Sequence, residues 1–103
     1  MSKDNLEVFT KAIEKDPKNT FVRYALAMEY RKQKRWDESL VAFNAVIEHD
    51  ADYIPAYQMG GQTAVDADRA DEARDLLTLG IETAGKQGNT HAVSEMTELL
   101  ETL

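Results

Sequence analysis

The sequence predicts an all-α protein of about six helices stacked as antiparallel pairs. Three observations carry this. Matching residues recur every 34 positions, the apolar residues inside each period follow helical spacing, and no segment sustains the period-two alternation of a strand.

Displacing the chain by 34 residues aligns Phe9, Phe43 and Leu77, then Ile13, Ile47 and Ile81. It also aligns the acids Asp4, Glu38 and Glu72, and the small residues Asn5, Ser39 and Ala73. The potential breakers Pro17, Ala51 and Gly85 fall at the same interval. Agreement of several columns at one offset marks a repeated supersecondary unit.

The first helix spans about 3–15, with Leu6, Phe9 and Ile13 on one face and Asp16-Pro17 as its stop. The second, 20–34, carries Leu26 and Tyr30 four apart with Ala27 beside them. It ends in the run RKQKR, Arg31 to Arg35, whose cations suit the negative end of a helix dipole. The third, 37–49, repeats the first pattern with Leu40, Phe43 and Ile47, and His49 closes it. The fourth, 54–67, holds the adjacent pair Gly60-Gly61, although glycine inside a helix costs about 1 kcal/mol relative to alanine. The fifth, 70–84, stops at Gly85. The sixth, 89–102, places Val93, Met96, Leu99, Leu100 and Leu103 on one face, as the closing helix of a stack requires.

The stretch RYALAMEYRKQKRWDESLVAFNAVIEHD, Arg23 to Asp50, resembles a tetratricopeptide repeat. In that family's 34-residue unit the first helix carries a large residue, a small one and an aromatic, here Leu26, Ala27 and Tyr30. The second carries a small residue, an aromatic and a small-to-medium one, here Ser39, Phe43 and Val46. A weaker copy follows in Gly60, Gly61, Ala64, Ala73, Leu77 and Gly80. Lys34 and Asp68 stand where the family often has glycine, and Ala51 and Gly85 replace the terminal proline. Beyond Gly88 the 34-residue register fails, since Glu95 lands where a small residue belongs.

The resemblance implies a small, single-domain, bacterial-type tetratricopeptide repeat protein with a right-handed superhelical α-solenoid. Its domain would run 1–103: a half repeat at 3–19, repeats at 20–53 and 54–87, and a closing helix at 88–103. In this register Gly61 aligns with Ala27, where the two helices of a unit come closest. Gly60 aligns with Leu26, a position that wants bulk, and its space is expected either to be filled by a neighbour such as Met96 or Leu100 of the closing helix or to leave the helix locally soft.

Composition excludes several function classes. There is no cysteine, so disulfides, thiolate metal sites and thiol nucleophiles are absent. With two histidines and no nucleophile–base–orienter set, no catalytic residue is assigned and an enzyme is not expected. His91 and Glu95 share a helix face but lack further ligands, so no metal site and no cofactor is expected. GIETAGKQ, Gly80 to Gln87, nearly spells a phosphate loop, but Gln87 replaces the hydroxyl residue and no strand precedes it. No window approaches the length of a membrane span, and the charged N-terminus is unlike a signal peptide, so a cytoplasmic protein without membrane insertion is expected.

The net charge of −7 argues against nucleic acid, whose non-specific affinity comes from phosphate neutralisation. It is unevenly spread: residues 1–36 hold nine Lys/Arg against five Asp/Glu, whereas 37–85 hold two against eleven. Such polarity is read first as a mixed solvated surface, and otherwise suits a basic partner or a second copy arranged head to tail. Transferring the family's ligand-facing positions gives Tyr24, Met28 and Arg31 on the second helix and Gln58, Gln62 and Val65 on the fourth. The resemblance therefore implies a protein–protein interaction module that binds a peptide or partner helix in a concave groove. A self-associating assembly is the alternative. The family's carboxylate-gripping Lys and Asn are replaced by Tyr24, Met28 and Met59, so recognition of a C-terminal carboxylate by charge is not expected.

Overall fold

The computed structural model describes residues 2–103, with side chains from residue 5 onward, so the Asp4 member of the acidic column lies outside the described side chains. Six helices form: α1 Ser2–Lys15, α2 Thr20–Lys32, α3 Trp36–His49, α4 Ile54–Asp66, α5 Ala70–Lys86 and α6 Thr90–Glu101. No strand occurs among the described residues. Each helix packs on its chain neighbours, and α4 also touches both α2 and α6. Among the described residues the backbones of α1, α3 and α5 do not approach one another closely, and α3 and α5 meet only through side chains such as Leu40 and Leu76. The row α2–α4–α6 is thus the tight, concave side of a helical repeat solenoid, and α1–α3–α5 is the splayed outer side.

The helix ends explain the period. After α2, the Arg35 amide donates to the Tyr30 carbonyl and the Lys34 amide to the Arg31 carbonyl. After α4, Arg69 donates to Ala64 and Asp68 to Val65; after α5, Asn89 donates to Ala84 and Gly88 to Gly85. All three are Schellman closures, which place the residue after the cap in the left-handed region. Lys34 (φ 59°), Asp68 (φ 60°) and Gly88 (φ 71°) occupy it. Only the third is a glycine, so the first two turns carry strain that a Cβ imposes. This also corrects the expected end of the fifth helix. Gly85 lies within its last turn, and Gly88 terminates it.

The starts of α2 and α6 share another device. Asn19 accepts from the Val22 amide and Asn89 from the Ala92 amide, both at 3.1 Å, so each caps the helix that follows. The helices α3 and α5 begin after Arg35 and Arg69, which supply no cap, and instead carry Asp37-Glu38 and Asp71-Glu72 in their first turns. Carboxylates there complement the positive dipole end.

The core runs through the stack as linked clusters. Ala27, Ala42, Phe43, Val46 and Ala56 bury together between α2, α3 and α4. Ile54, Tyr57, Leu77, Ala84, Ala92 and Met96 do so between α4, α5 and α6. A third cluster, Leu40, Ala64, Ala73 and Leu76, lies against both, and Ile47 packs on all three. Buried polar atoms are satisfied: the Ser39 hydroxyl donates to the Ala27 carbonyl at 2.9 Å, and the Tyr57 hydroxyl to the Ala51 carbonyl at 2.7 Å.

The glycines separate into two kinds. A Cβ at Gly61 would lie 2.5 Å from Leu77 Cδ2 and 2.8 Å from its Cγ, and one at Gly80 would lie 2.6 Å from both Tyr57 Cβ and Met96 Sδ. Neither position admits a side chain without repacking. A Cβ at Gly60 would meet Phe43 Cβ at 3.4 Å and Leu76 Cδ1 at 3.5 Å, an ordinary contact. The residues nearest Gly60 are therefore Phe43 and Leu76, not Met96 or Leu100 of the closing helix. Met96 fills the notch at Gly80 instead.

Two sets of substitutions test this packing by thermal unfolding. Gly60→Ala should raise stability by up to about 1 kcal/mol through helix propensity and a less flexible unfolded chain. Gly80→Ala should lower it by about 1–3 kcal/mol through overpacking against the rigid Tyr57 Cβ. Equal shifts at the two sites would contradict the packing described. Separately, Lys34→Gly should gain about 1 kcal/mol, and Asp68→Gly less, because aspartate enters the left-handed region more readily than lysine. Unchanged or lower melting temperatures would show that these turns are not strained.

Candidate interaction groove

The concave row is built on two offsets. The helix α4 begins 34 residues after α2, whereas α6 begins 36 residues after α4. The extra residues belong to α5, 17 residues long against 14 for α3. Burial follows the same shift, for Ala56 and Gly60 on α4 are matched by buried Ala92 and Met96 on α6. The register lost beyond Gly88 is thus displaced by two residues. In the displaced register Thr97 takes the close-approach position of Gly61, and Glu95 takes the position of Met59.

The six residues expected to face a ligand do not form one surface. Tyr24 packs edge-to-face on Phe43 (centroids 5.8 Å apart) and on Tyr53 (5.5 Å). Burial, then the neighbouring Tyr53, pushes its hydroxyl above the ordinary phenol range. Met28 packs against the same cluster and edges a separate hollow with Phe9, Glu29 and Lys32. Val65 packs against the cluster of Leu40 and Leu76.

Arg31 is committed to the fold. Its guanidinium donates to Thr63 Oγ1 at 3.1 Å and to Asp66 Oδ2 at 2.7 Å, bridging α2 to α4. Its side chain is 22% exposed. Thr63 in turn donates its hydroxyl to the Met59 carbonyl at 2.6 Å. The RKQKR run is accordingly not one cationic patch. Arg35 lies 5.0 Å from the centre of the Tyr30 ring and pairs with Glu38, and Lys34 forms the left-handed turn residue.

Gln58 and Gln62 do come together, on the wall of a hollow of about 500 Å³ between α4 and α6. Met59, Met96 and Leu99 contribute apolar surface to it, and Glu95, Glu98 and Thr102 complete it. Four of the α6 members lie at i, i+3, i+4 and i+7 (95, 98, 99, 102), one helical face, with Met96 beside them. The α4 residues in the matching register positions are 59, 62, 63 and 66, the face that Arg31 clamps. In the second gap the counterpart of Arg31 is Val65, which has no polar reach toward Thr102. The first gap is therefore closed by a charged bridge, whereas the second is crossed only by the exposed Gln58–Glu95 hydrogen bond and keeps a hollow beside it.

Hydrogen bonds orient the groove's polar groups. Gln58 Nε2 donates to Glu95 Oε1 at 3.1 Å, and Gln62 Nε2 donates to Asp66 Oδ1 at 2.9 Å. Both amides are thereby turned with nitrogen toward a carboxylate and oxygen available to accept. The Thr102 hydroxyl donates to the Leu99 carbonyl at 2.6 Å. His91 Nε2 lies 3.4 Å from Glu95 as an exposed i, i+4 pair. Among the described residues no cluster of three or more His, Cys, Asp or Glu is arranged to hold a metal. No helix among the described residues is long and apolar enough to cross a membrane.

Of the residues lining this hollow, the transferred pattern included Gln58 and Gln62 as ligand-facing and placed Met59 only at a carboxylate-gripping position, and it did not include Glu95, Met96, Glu98, Leu99 or Thr102. A signal for the α6 face was present: the dipeptide Asn-Thr precedes a helix at 19–20 and again at 89–90, a separation two residues longer than two periods.

A stack of helix pairs with an open concave groove is the architecture of a helical repeat protein. The tetratricopeptide repeat model matches residues 8–40. A tetratricopeptide repeat domain protein from Salinibacter ruber, solved by NMR, shares 34% identity over 84% of this chain and 88% of that one, with a TM-score of 0.77. The chain belongs to the tetratricopeptide repeat family, whose fold serves as a protein–protein interaction module.

More distant in sequence is the TPR2B domain of yeast Sti1 in complex with pHsp70. Its TM-score is 0.85 at 18% identity, covering 93% of this chain and 77% of that one. PcrH in complex with the chaperone binding region of PopD has a TM-score of 0.88 at 12% identity, covering 98% and 77%. A search among curated protein sequences finds no match.

The bridge between the inner helices is testable by a double-mutant cycle. Arg31→Ala should lower stability by roughly 1–2 kcal/mol, with a coupling to Asp66→Ala of about 0.5–1 kcal/mol given the partial exposure of both groups. A coupling near zero in chemical denaturation would show that the bridge does not hold α2 against α4.

Proposed function

We propose that this chain is a non-enzymatic adaptor that binds a peptide or partner helix in its concave groove, and that the docking surface lies between α4 and α6. One observation carries the reading. The charged bridge that Arg31 makes between α2 and α4 has no counterpart between α4 and α6, where only the exposed Gln58–Glu95 hydrogen bond crosses and apolar Met59 and Leu99 lie beside the amides of Gln58 and Gln62. Apolar surface flanked by amides suits a segment whose side chains bury while its polar groups set register. The thioether of Met59 adapts to ligands of different shape. Two structural neighbours described above were solved bound to parts of other proteins, which supports the reading by likeness of fold.

Of the transferred positions, Gln58 and Gln62 keep a ligand-facing role in this proposal. Tyr24, Met28, Arg31 and Val65 support the wall behind them.

Selection of a random peptide library on the folded chain, followed by NMR titration of an enriched peptide, tests the reading. The amide signals of Gln58, Met59, Gln62 and Leu99 should shift first. Met59→Ala with Gln62→Ala should weaken binding by roughly tenfold, about 1.4 kcal/mol, with the melting temperature nearly unchanged. Shifts confined to α3 and α5 would sink it. Concentration-dependent dimers in sedimentation would instead favour a self-associating scaffold, for which the exposed Phe21 and Val41 supply apolar surface.

A further inference from the structure

We infer that the groove's ligand is a cationic amphipathic segment, an apolar residue flanked by Lys or Arg, with its basic side chains directed at α6. The inference rests on the groove reading above and names the chemistry of its occupant. Two independent features point to it.

The first is charge. In the two-residue-displaced register the ligand-facing positions of α6 are Ser94, Glu98 and Glu101, next to the groove-lining Glu95. Among the described residues Glu98 and Glu101 make no ion pair, and Glu95 meets only an exposed histidine and an amide. Arg31, the cation that crosses the concave row, is already matched by Asp66. The wall formed by α6 is therefore a set of accessible carboxylates with no internal counter-charge.

The second is hydrogen-bonding sense. The amide nitrogens of Gln58 and Gln62 are each engaged by a carboxylate, and the Thr102 hydroxyl hydrogen is engaged by a backbone carbonyl. What remains toward the groove is in the majority acceptors: two amide oxygens, a hydroxyl oxygen and the carboxylates of Glu95 and Glu98, against one further N–H on each amide. Lys and Arg carry only donors, three on the ammonium and five on the guanidinium, so they complement this surface where an acidic or carboxylate-terminated segment would leave it unsatisfied. Met59, Met96 and Leu99 beneath supply the apolar floor. The groove is graded from the bridged Arg31 end through the amides to the acidic wall, which gives the bound segment a direction as well as a charge.

The test selects a random twelve-residue peptide library on the full chain, then measures an enriched peptide by calorimetry on variants and at two salt concentrations. The expected pool is rich in Lys or Arg beside an apolar residue. Affinity should fall roughly tenfold or more with Glu95→Gln/Glu98→Gln, and fall with added salt. It should change less than about twofold with Asp71→Asn/Asp75→Asn, which removes the same charge from exposed positions on α5. Neutral or acidic peptides that shift the Gln58 and Gln62 signals would overturn this inference while leaving the groove reading intact. Basic peptides weakened by the α5 pair but not by the α6 pair, or no enrichment at all, would overturn both. A chain dimer dissociated by Glu95→Gln/Glu98→Gln would show a second copy as the occupant and overturn the peptide assignment.

Discussion

The structure depends on how closely the helices of the second pair approach. At Gly61 and Gly80 the backbones come near enough that a Cβ would stand 2.5–2.6 Å from Leu77, Tyr57 or Met96. Leu77 of α5 packs on the backbone at Gly61 of α4 and Tyr57 of α4 on the backbone at Gly80 of α5, and both side chains become fully embedded. Native interiors tolerate little volume change at such contacts. The position of α4, and with it the concave wall, is therefore held from behind by its outer partner.

The inner row has to be described differently, because α2, α4 and α6 meet at few points. Where they meet, individual side chains decide whether the gap is closed. Arg31 spans the first gap with two charge-assisted bonds, one to a threonine whose own hydroxyl is tied to the helix backbone. One period later a valine stands in the arginine's place, and the gap opens into a groove lined by amides, thioethers and carboxylates. Replacing the Arg31, Thr63 and Asp66 set by Val65, Leu99 and Thr102 thus leaves the second junction without the charged bridge of the first. The two-residue lengthening before α6 has the companion effect of turning Glu95 and Glu98 toward that opening.

Legibility from sequence follows the same division. The six helices and the 34-residue period were readable because they rest on apolar spacing and on stop signals, which act locally. Gly61 was readable as a close approach, since a helix interior accepts glycine only for a reason. The neighbours of Gly60 were not readable, because which side chain reaches a notch depends on the crossing of α3 and α5 over α4. For the same reason Met96 was matched to the wrong glycine. The groove was half readable: Gln58 and Gln62 lie on its wall, but a fixed 34-residue transfer could not follow α6 past the longer α5. Arg31 read as a ligand contact because its partners, Thr63 and Asp66, lie more than thirty residues away. Left-handed backbone at Lys34 and Asp68 was hidden in residues that seldom adopt it, and only the family's frequent glycine at those positions hinted at it.

The most direct measurement is an experimental structure of the chain with a selected peptide bound. The account predicts the peptide between α4 and α6, with a Lys or Arg nitrogen within hydrogen-bond distance of Glu95 or Glu98 and an apolar side chain on Met59 and Leu99. A peptide lying instead on the outer surface of α3 and α5, with the α4–α6 groove unfilled, would contradict it.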